Sequence, residues 1–342
     1  MISATNGEVL WQWSDLFEID ENRFDPTSVY RYENYLAIQY GPRFYLVDLA
    51  NGTTLQKERR EYQAASMQGI GSLYVTAGSF VQNERGEYEG KVYSGDITSA
   101  ENELLFIPNY NKQHADVNNS VGIINSAVPF VDEKSGDVLI TYNYSDPEPD
   151  HHGSTYAGLY NYSKKVMVYD GKPLTINVPF YGSGPAVIYQ GKAYYSPAKS
   201  LICIDVYTGK QLWKRDFSEG FTFSRYIIAE DKVLANNEDT YLYALDPETG
   251  RQLWKEKSSG TSSPMAYLNG VVYFVGGGDG LLHAVEVATG KHLWRLHSPD
   301  LKNNSGAWFK RYVSVLPPKN EDEKGKVLVS SYLSAFCYEA AR

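Results

Sequence analysis

The sequence predicts an all-β chain, a β-propeller of about seven four-stranded blades, and three observations lead there. An eleven-residue pattern recurs at a fixed interval, hairpin turns punctuate each interval, and the two ends hold complementary fragments of one repeat. The composition agrees: 29 Tyr and 29 Gly stand beside 13 Phe and 4 Met, and tyrosine suits strands and half-exposed surfaces.

The recurring element is clearest in CIDVYTGKQLW (203–213), ALDPETGRQLW (244–254) and AVEVATGKHLW (284–294), which align without gaps. Trp213, Trp254 and Trp294 fall 41 and 40 residues apart. Alternating apolar residues predict a strand. An acid followed by Thr-Gly predicts a tight turn whose glycine takes positive φ, and the next strand carries the Trp. Ahead of each copy lies another hairpin, as in PAVIYQGKAYYS (185–196) and PMAYLNGVVYFV (264–275). Four strands in about 40 residues is the spacing of a propeller blade.

Fainter copies extend the series. Residues 30–56 keep the turn glycine, Gly52, but carry Gln56 where the Trp is expected, and the motif is degraded further around Asp96 and Asp170. Hairpin pairs near 28–59, 66–106, 126–175, 183–215, 222–256, 262–296 and 311 onwards give about seven blades. Six or eight also fit, because the second and third repeats are irregular. ATNGEVLW (4–11) is the second half of a repeat and SAFCYEA (334–340) a first half. Sharing one blade between N- and C-terminal strands would close the ring and remove its open edges, giving a single domain over 1–342. Cys203 and Cys337 occupy the motif's small-residue position and are expected to be buried and unpaired.

Composition narrows the function classes. Thirty-two basic against 41 acidic residues give a net charge of −9, which disfavours nucleic acid and anionic membranes as partners. No apolar run reaches the length of a membrane span, and MISATNGEVLWQW shows neither a basic nor an apolar leader region. No nucleophile elbow, His-Glu-x-x-His or phosphate loop occurs. Carboxylate pairs for glycosidic chemistry would come from distant blades and leave no spacing to read.

The pattern of small residue, acid, Thr-Gly and Trp resembles the tryptophan-docking repeat of the pyrroloquinoline-quinone-type (quinoprotein) β-propellers. That resemblance implies that Trp11, Trp213, Trp254 and Trp294 sit between neighbouring blades, and that the first three blades, lacking the Trp, pack by other contacts. The catalytic branch of the family holds pyrroloquinoline quinone with Ca²⁺ beside an adjacent-cysteine disulfide and a catalytic Asp. This chain has no Cys-Cys pair, so it resembles instead the non-catalytic branch of outer-membrane barrel-assembly propeller lipoproteins, which work without a cofactor. The resemblance implies an extracytoplasmic place, in the periplasm or cell envelope.

The irregular repeats carry the candidate site. Residues 79–91 and 143–165 enlarge the turns between second and third strands, and 108–125 lengthen a connection between blades. In a propeller blade these emerge on one face, and long insertions in a compact repeat mark function. Tyr110, His114, Asp116, Tyr142, Tyr144, His151, His152 and Tyr156 are the candidate binding residues there. Trp308 and Arg311, from a further connection over 299–312, could stack on a sugar or a partner side chain. Asp150, His151 and His152 are the only weak metal candidates, since adjacent residues on a segment kept extended by Pro147 and Pro149 point apart. GGGDG (276–280) reads as a plain hairpin turn, because no helix or lysine follows it as a phosphate site requires.

The expected function is a monomeric, non-enzymatic scaffold presenting this loop-rich face to a protein partner or a peptidoglycan-like one. The alternatives are a quinone-dependent oxidoreductase acting on alcohols or sugars, and a carbohydrate-binding propeller that uses the tyrosine-rich loops.

Overall fold

The computed structural model describes residues 8–15, 28–99, 101–110, 120–147, 152–179, 182–217, 226–260, 263–302, 306–320 and 323–342. Apart from one short 3-10 turn, Pro299–Lys302, every regular element among them is a strand. The chain divides into two compact units: residues 1–198 with 204–211, and residues 199–203 with 212–342.

In the first unit, β1 to β4 (Ser28–Tyr32, Tyr35–Tyr40, Arg43–Asp48, Thr54–Arg59) form a four-stranded antiparallel sheet in sequence order. The second and third repeats depart from that plan. Their strands are β5 to β8 (Gln63–Ile70, Leu73–Gln82, Tyr88–Asp96, Glu101–Phe106) and β9 to β12 (Ser120–Val131, Val138–Pro147, His152–Asn161, Val166–Pro179). All eight belong to one sheet, ordered β12-β11-β10-β9-β7-β6-β5, with β8 also paired to β7. The seam is a short parallel pairing of β7 with β9, Tyr88 opposite Ser120 and Glu89 opposite Gly122.

Four strands, β13 to β16 (Val187–Tyr189, Lys192–Tyr195, Ser200–Asp205, Gln211–Asp216), form the sheet at which the division into units falls. In the second unit, β17 to β20 (Tyr226–Ala229, Lys232–Asn236, Tyr241–Leu245, Gln252–Lys257) and β21 to β24 (Ala266–Leu268, Val271–Val275, Leu282–Glu286, His292–Leu296) are regular four-stranded sheets. A last sheet contains three strands, β25 to β27 (Lys310–Leu316, Lys326–Ser330, Ala335–Glu339). The strand expected to complete it, from residues 4–11, begins outside the described residues.

Burial explains the strand types. The second strand of a regular repeat is covered on both faces, so VVYFV in β22 is buried throughout, whereas the last strand, QLWKEK in β20, alternates between half-buried and exposed. The turn motif also has a direct cause. The Asp246 carboxylate accepts hydrogen bonds from the amides of Glu248 and Thr249 and from the Thr249 hydroxyl. Gly250, at φ 68°, closes the turn by donating to the Asp246 carbonyl. Asp205 with Thr208 repeats the arrangement.

The glycine has a second role that ties one repeat to the next. A Cβ on Gly250 would lie 2.6 Å from the Trp213 ring, and the Trp213 indole N–H donates to the Pro247 carbonyl at 2.9 Å. Trp254 stands in the same relation to Gly290 and the Val287 carbonyl, and Trp11 to Gly52 and the Leu49 carbonyl. The indole lies flat where only a glycine leaves room. The third repeat lacks the Trp, and Tyr169 replaces it: its ring reaches Gly209, and its hydroxyl donates to the Val206 carbonyl at 3.0 Å. This is one of the other contacts expected of the early repeats.

Neither cysteine forms a disulfide, and the expected burial holds for one of the two. Cys203 is buried and Cys337 is exposed. The difference comes from the last sheet: Cys337 lies on β27, which has a sheet partner on one side only among the described residues.

Candidate functional site

Two of the three segments read as long insertions, 79–91 and 143–165, are largely strands among their described residues. Residues 79–91 are the ends of β6 and β7 around a turn in which the Asn83 side chain accepts from the amides of Arg85 and Glu87. Most of 143–165 extends β10 and β11. Insertion in these repeats therefore lengthened and merged the sheets.

Three candidate binding residues are core residues, which corrects the surface role expected of them. Tyr110, Tyr142 and Tyr144 are buried. The Tyr110 ring lies over Gly122, where a Cβ would come within 1.9 Å of it, and its hydroxyl donates to the Gly90 carbonyl at 2.9 Å. Gly90 is on β7 and Gly122 on β9, so Tyr110 rivets the seam of the merged sheet. Tyr142 lies over Gly158 in the same manner, and Tyr144 packs edge-on against Tyr110 and parallel to Tyr156. Burial raises the phenol pKa of all three tyrosines, and the Asp170 carboxylate acts in the same direction on each. All three phenols therefore stay protonated near neutral pH.

Tyr156 and His152 are half-buried on β11. His114, Asp116, Asp150 and His151 lie outside the described residues, as does the Arg311 side chain. Among the described residues no group of three or more His, Cys, Asp or Glu is placed to hold a metal ion.

Two exposed features emerge instead. The first is the outer edge of the merged sheet. The strand order ends at β12, which runs 14 residues against the five or six of the outer strands in regular repeats. Val166, Val168 and Ile176 on it are 49%, 48% and 57% exposed. Residues 166 and 168 share a face by the two-residue period of a strand, while Tyr169 turns to the neighbouring repeat as described above.

The second is a cleft of about 620 Å³ in the second unit. It lies between the 276–280 turn, Trp308, Lys310 and Tyr332. Among the described residues, Trp308 is the one sequence candidate that the structure leaves exposed, at 43%. Its ring is backed by Gly280, where a Cβ would lie 2.7 Å away. The Lys310 ammonium sits 3.2 Å from the centroid of the Tyr332 ring, and Tyr332 is 68% exposed. The Tyr332 turn is fixed by Asp300, whose carboxylate accepts from the Ser331 and Ser334 hydroxyls. Sequence reading missed Tyr332 and Asp279. Their partners are far away in the chain, and GGGDG by itself signals only a turn.

Behind Asp279 runs a chain of side chains with a defined direction. Arg295 Nη2, a donor only, is 3.1 Å from His292 Nδ1, while Glu256 Oε1, an acceptor only, is 3.5 Å from the same nitrogen; the shorter contact assigns the His292 proton to Nε2. That proton points to His283 Nδ1 at 3.1 Å, which places the His283 proton on Nε2, 3.2 Å from both Asp279 oxygens. Burial lowers the pKa of His283 against the pull of Asp279. Burial, with the positive charge of Arg295 and the neighbouring His283, lowers His292 to about 4, opposed by Glu256. Burial works to raise the Asp279 carboxyl, but hydrogen bonds from Ser259, the Leu281 amide and His283 hold it below its usual value.

Repeated antiparallel sheets locked by an aromatic ring on the next turn define a non-helical repeat protein of the β-propeller class. Comparison with known families agrees. The family model described as outer membrane protein assembly factor BamB matches residues 126–342, well over half of the sequence, and the chain belongs to that family. Among solved structures it is similar to BamB from Moraxella catarrhalis, at 14% identity and TM-score 0.57 over 96% of this chain and 84% of that one. It is also similar to Sqt1 from Saccharomyces cerevisiae, at 10% identity and TM-score 0.62 over 90% and 81%. At these identities the likeness shows the fold. A search of curated protein sequences returns no match. Among the described residues no helix is long and apolar enough to cross a membrane.

Proposed function

We propose that this protein is a non-enzymatic scaffold of the cell envelope that holds a protein partner along the outer edge of β12. Membership of a family described by outer-membrane protein assembly supports the scaffold reading. The observation that carries the surface is the 14-residue edge strand with Val166, Val168 and Ile176 exposed, on a chain whose mean hydropathy is −0.42. The irregular repeats thus remain the working part, through a sheet edge in place of the loops. An edge of this kind offers main-chain groups for pairing and apolar side chains for burial. Pro173 and Pro179 restrict main-chain pairing to the stretch before residue 173.

The test places a photo-crosslinking amino acid at position 168, 176 or 212 in cells of the source organism. Leu212 is similarly exposed on the outer strand of a regular repeat. The expected result is one discrete protein adduct shared by 168 and 176 and absent at 212. No adduct at 168 or 176, or the same adducts at all three positions, would refute the surface.

A further inference from the structure

We propose that the Trp308 cleft is a binding site for a neutral sugar ring, separate from the protein-binding edge of β12 and independent of it. The volume, about 620 Å³, is that of a small-ligand site. Its chemistry narrows the ligand. The Trp308 indole is held against Gly280 on one side and is open on the other, which is the platform that the C–H face of a pyranose stacks upon. Tyr332 offers a second exposed ring, held by the Asp300 network and by Lys310.

The polar groups around these rings are balanced. Four of the five turn amides are spent internally: Gly276 donates to the Leu281 carbonyl, Gly277 to that of Gly260, Gly278 to that of Ser259 and Gly280 to that of Gly276. A phosphate or carboxylate finds no amide cradle there. Asp279 supplies one carboxylate whose side chain is 27% exposed, and Lys310 supplies one ammonium. Among the described residues that line the cleft, one acceptor charge and one donor charge cancel, so a charged ligand gains no net attraction from them. A ligand with many hydroxyls satisfies both groups at once, as acceptor to Lys310 and donor to Asp279. The His292–His283 chain keeps Asp279 ionised and oriented, since His283 donates to it from a fully buried position.

The test is saturation-transfer NMR on the intact protein with three neutral trisaccharides, maltotriose, cellotriose and triacetylchitotriose, each at about 5 mM, a concentration suited to millimolar affinity. The probes differ in linkage and acetylation and share the pyranose face. Saturation is expected on the axial ring protons of at least one of them. Trp308→Ala is expected to weaken that binding about tenfold, and Tyr332→Ala about fivefold. Tyr332 is exposed enough that its loss leaves the melting temperature unchanged, so the second variant separates a lost site from a lost fold. Binding weakened by either variant with an unchanged near-UV spectrum carries the proposal. No saturation transfer to any of the three, binding that both variants leave unaltered, or capture of an arginine-rich peptide in place of sugars overturns it. Loss of the partner adduct at positions 168 and 176 would not affect this outcome, so the two readings fail separately.

Discussion

Replacing Trp213 by alanine tests the link between turn motif and fold most sharply. The indole is 8% exposed, its face covers Gly250, and its N–H donates to the Pro247 carbonyl. Truncating a buried aromatic of this kind costs about 3 to 5 kcal/mol. Loss of the indole hydrogen bond to the Pro247 carbonyl adds about 1 kcal/mol. Trp213→Phe keeps a ring on the glycine and loses the donor, so about half of the cost is expected. Gly250→Ala approaches the same contact from the other side, since its Cβ would meet the ring at 2.6 Å and its φ is 68°. Urea unfolding followed by far-UV circular dichroism should rank the variants alanine at 213, then alanine at 250, then phenylalanine at 213. A loss below about 1 kcal/mol for Trp213→Ala would show that the indole is decoration and that the repeats are held by strand burial alone.

Other consequences follow from the same geometry. Gly122→Ala should open the seam of the merged sheet, because the added carbon would stand 1.9 Å from Tyr110, and a loss of about 2 to 3 kcal/mol is expected from thermal denaturation. Tyr169→Phe should cost about 1 kcal/mol, the hydroxyl bond to Val206 alone, in the same denaturation assay. His292 gives a pH signature. Its cation is disfavoured in the fold, so the unfolded chain takes up the proton first. Its contribution is whole above about pH 6.5, falls with acidification and is lost by about pH 4, a change of about 2 kcal/mol once solvent screening of the half-open site is allowed for. Denaturation midpoints of the protein and of His292→Gln should converge at pH 4 relative to pH 7, and parallel midpoints across that range would refute the assignment.

The fold was readable because its determinants are local. Asp246, Thr249 and Gly250 form a turn within five residues, and Trp213 marks the strand that meets it one repeat later. Tyr169 was hidden because a tyrosine on a strand is one among 29 in the chain and carries no mark of the repeat, and only the third dimension shows its hydroxyl at Val206. The tyrosines of the irregular repeats misled for a related reason. A half-polar side chain in a long insertion reads as surface, yet Tyr110, Tyr142 and Tyr144 each found a glycine to cover or a ring to stack on, and the insertion became sheet. Trp308 was legible as the indole outside the repeat, whereas Tyr332 and Asp279 meet it only through tertiary structure.

The affinity of the purified partner for Val168→Lys, Ile176→Lys double-substituted protein tests the central claim most directly. Each exposed apolar side chain is worth about 1.5 kcal/mol when buried at an interface, so the two changes should weaken binding by at least about a hundredfold. The melting temperature should stay where it is, since both positions are solvent-exposed before binding. Unchanged affinity would contradict the account and remove the β12 edge from the function of this protein.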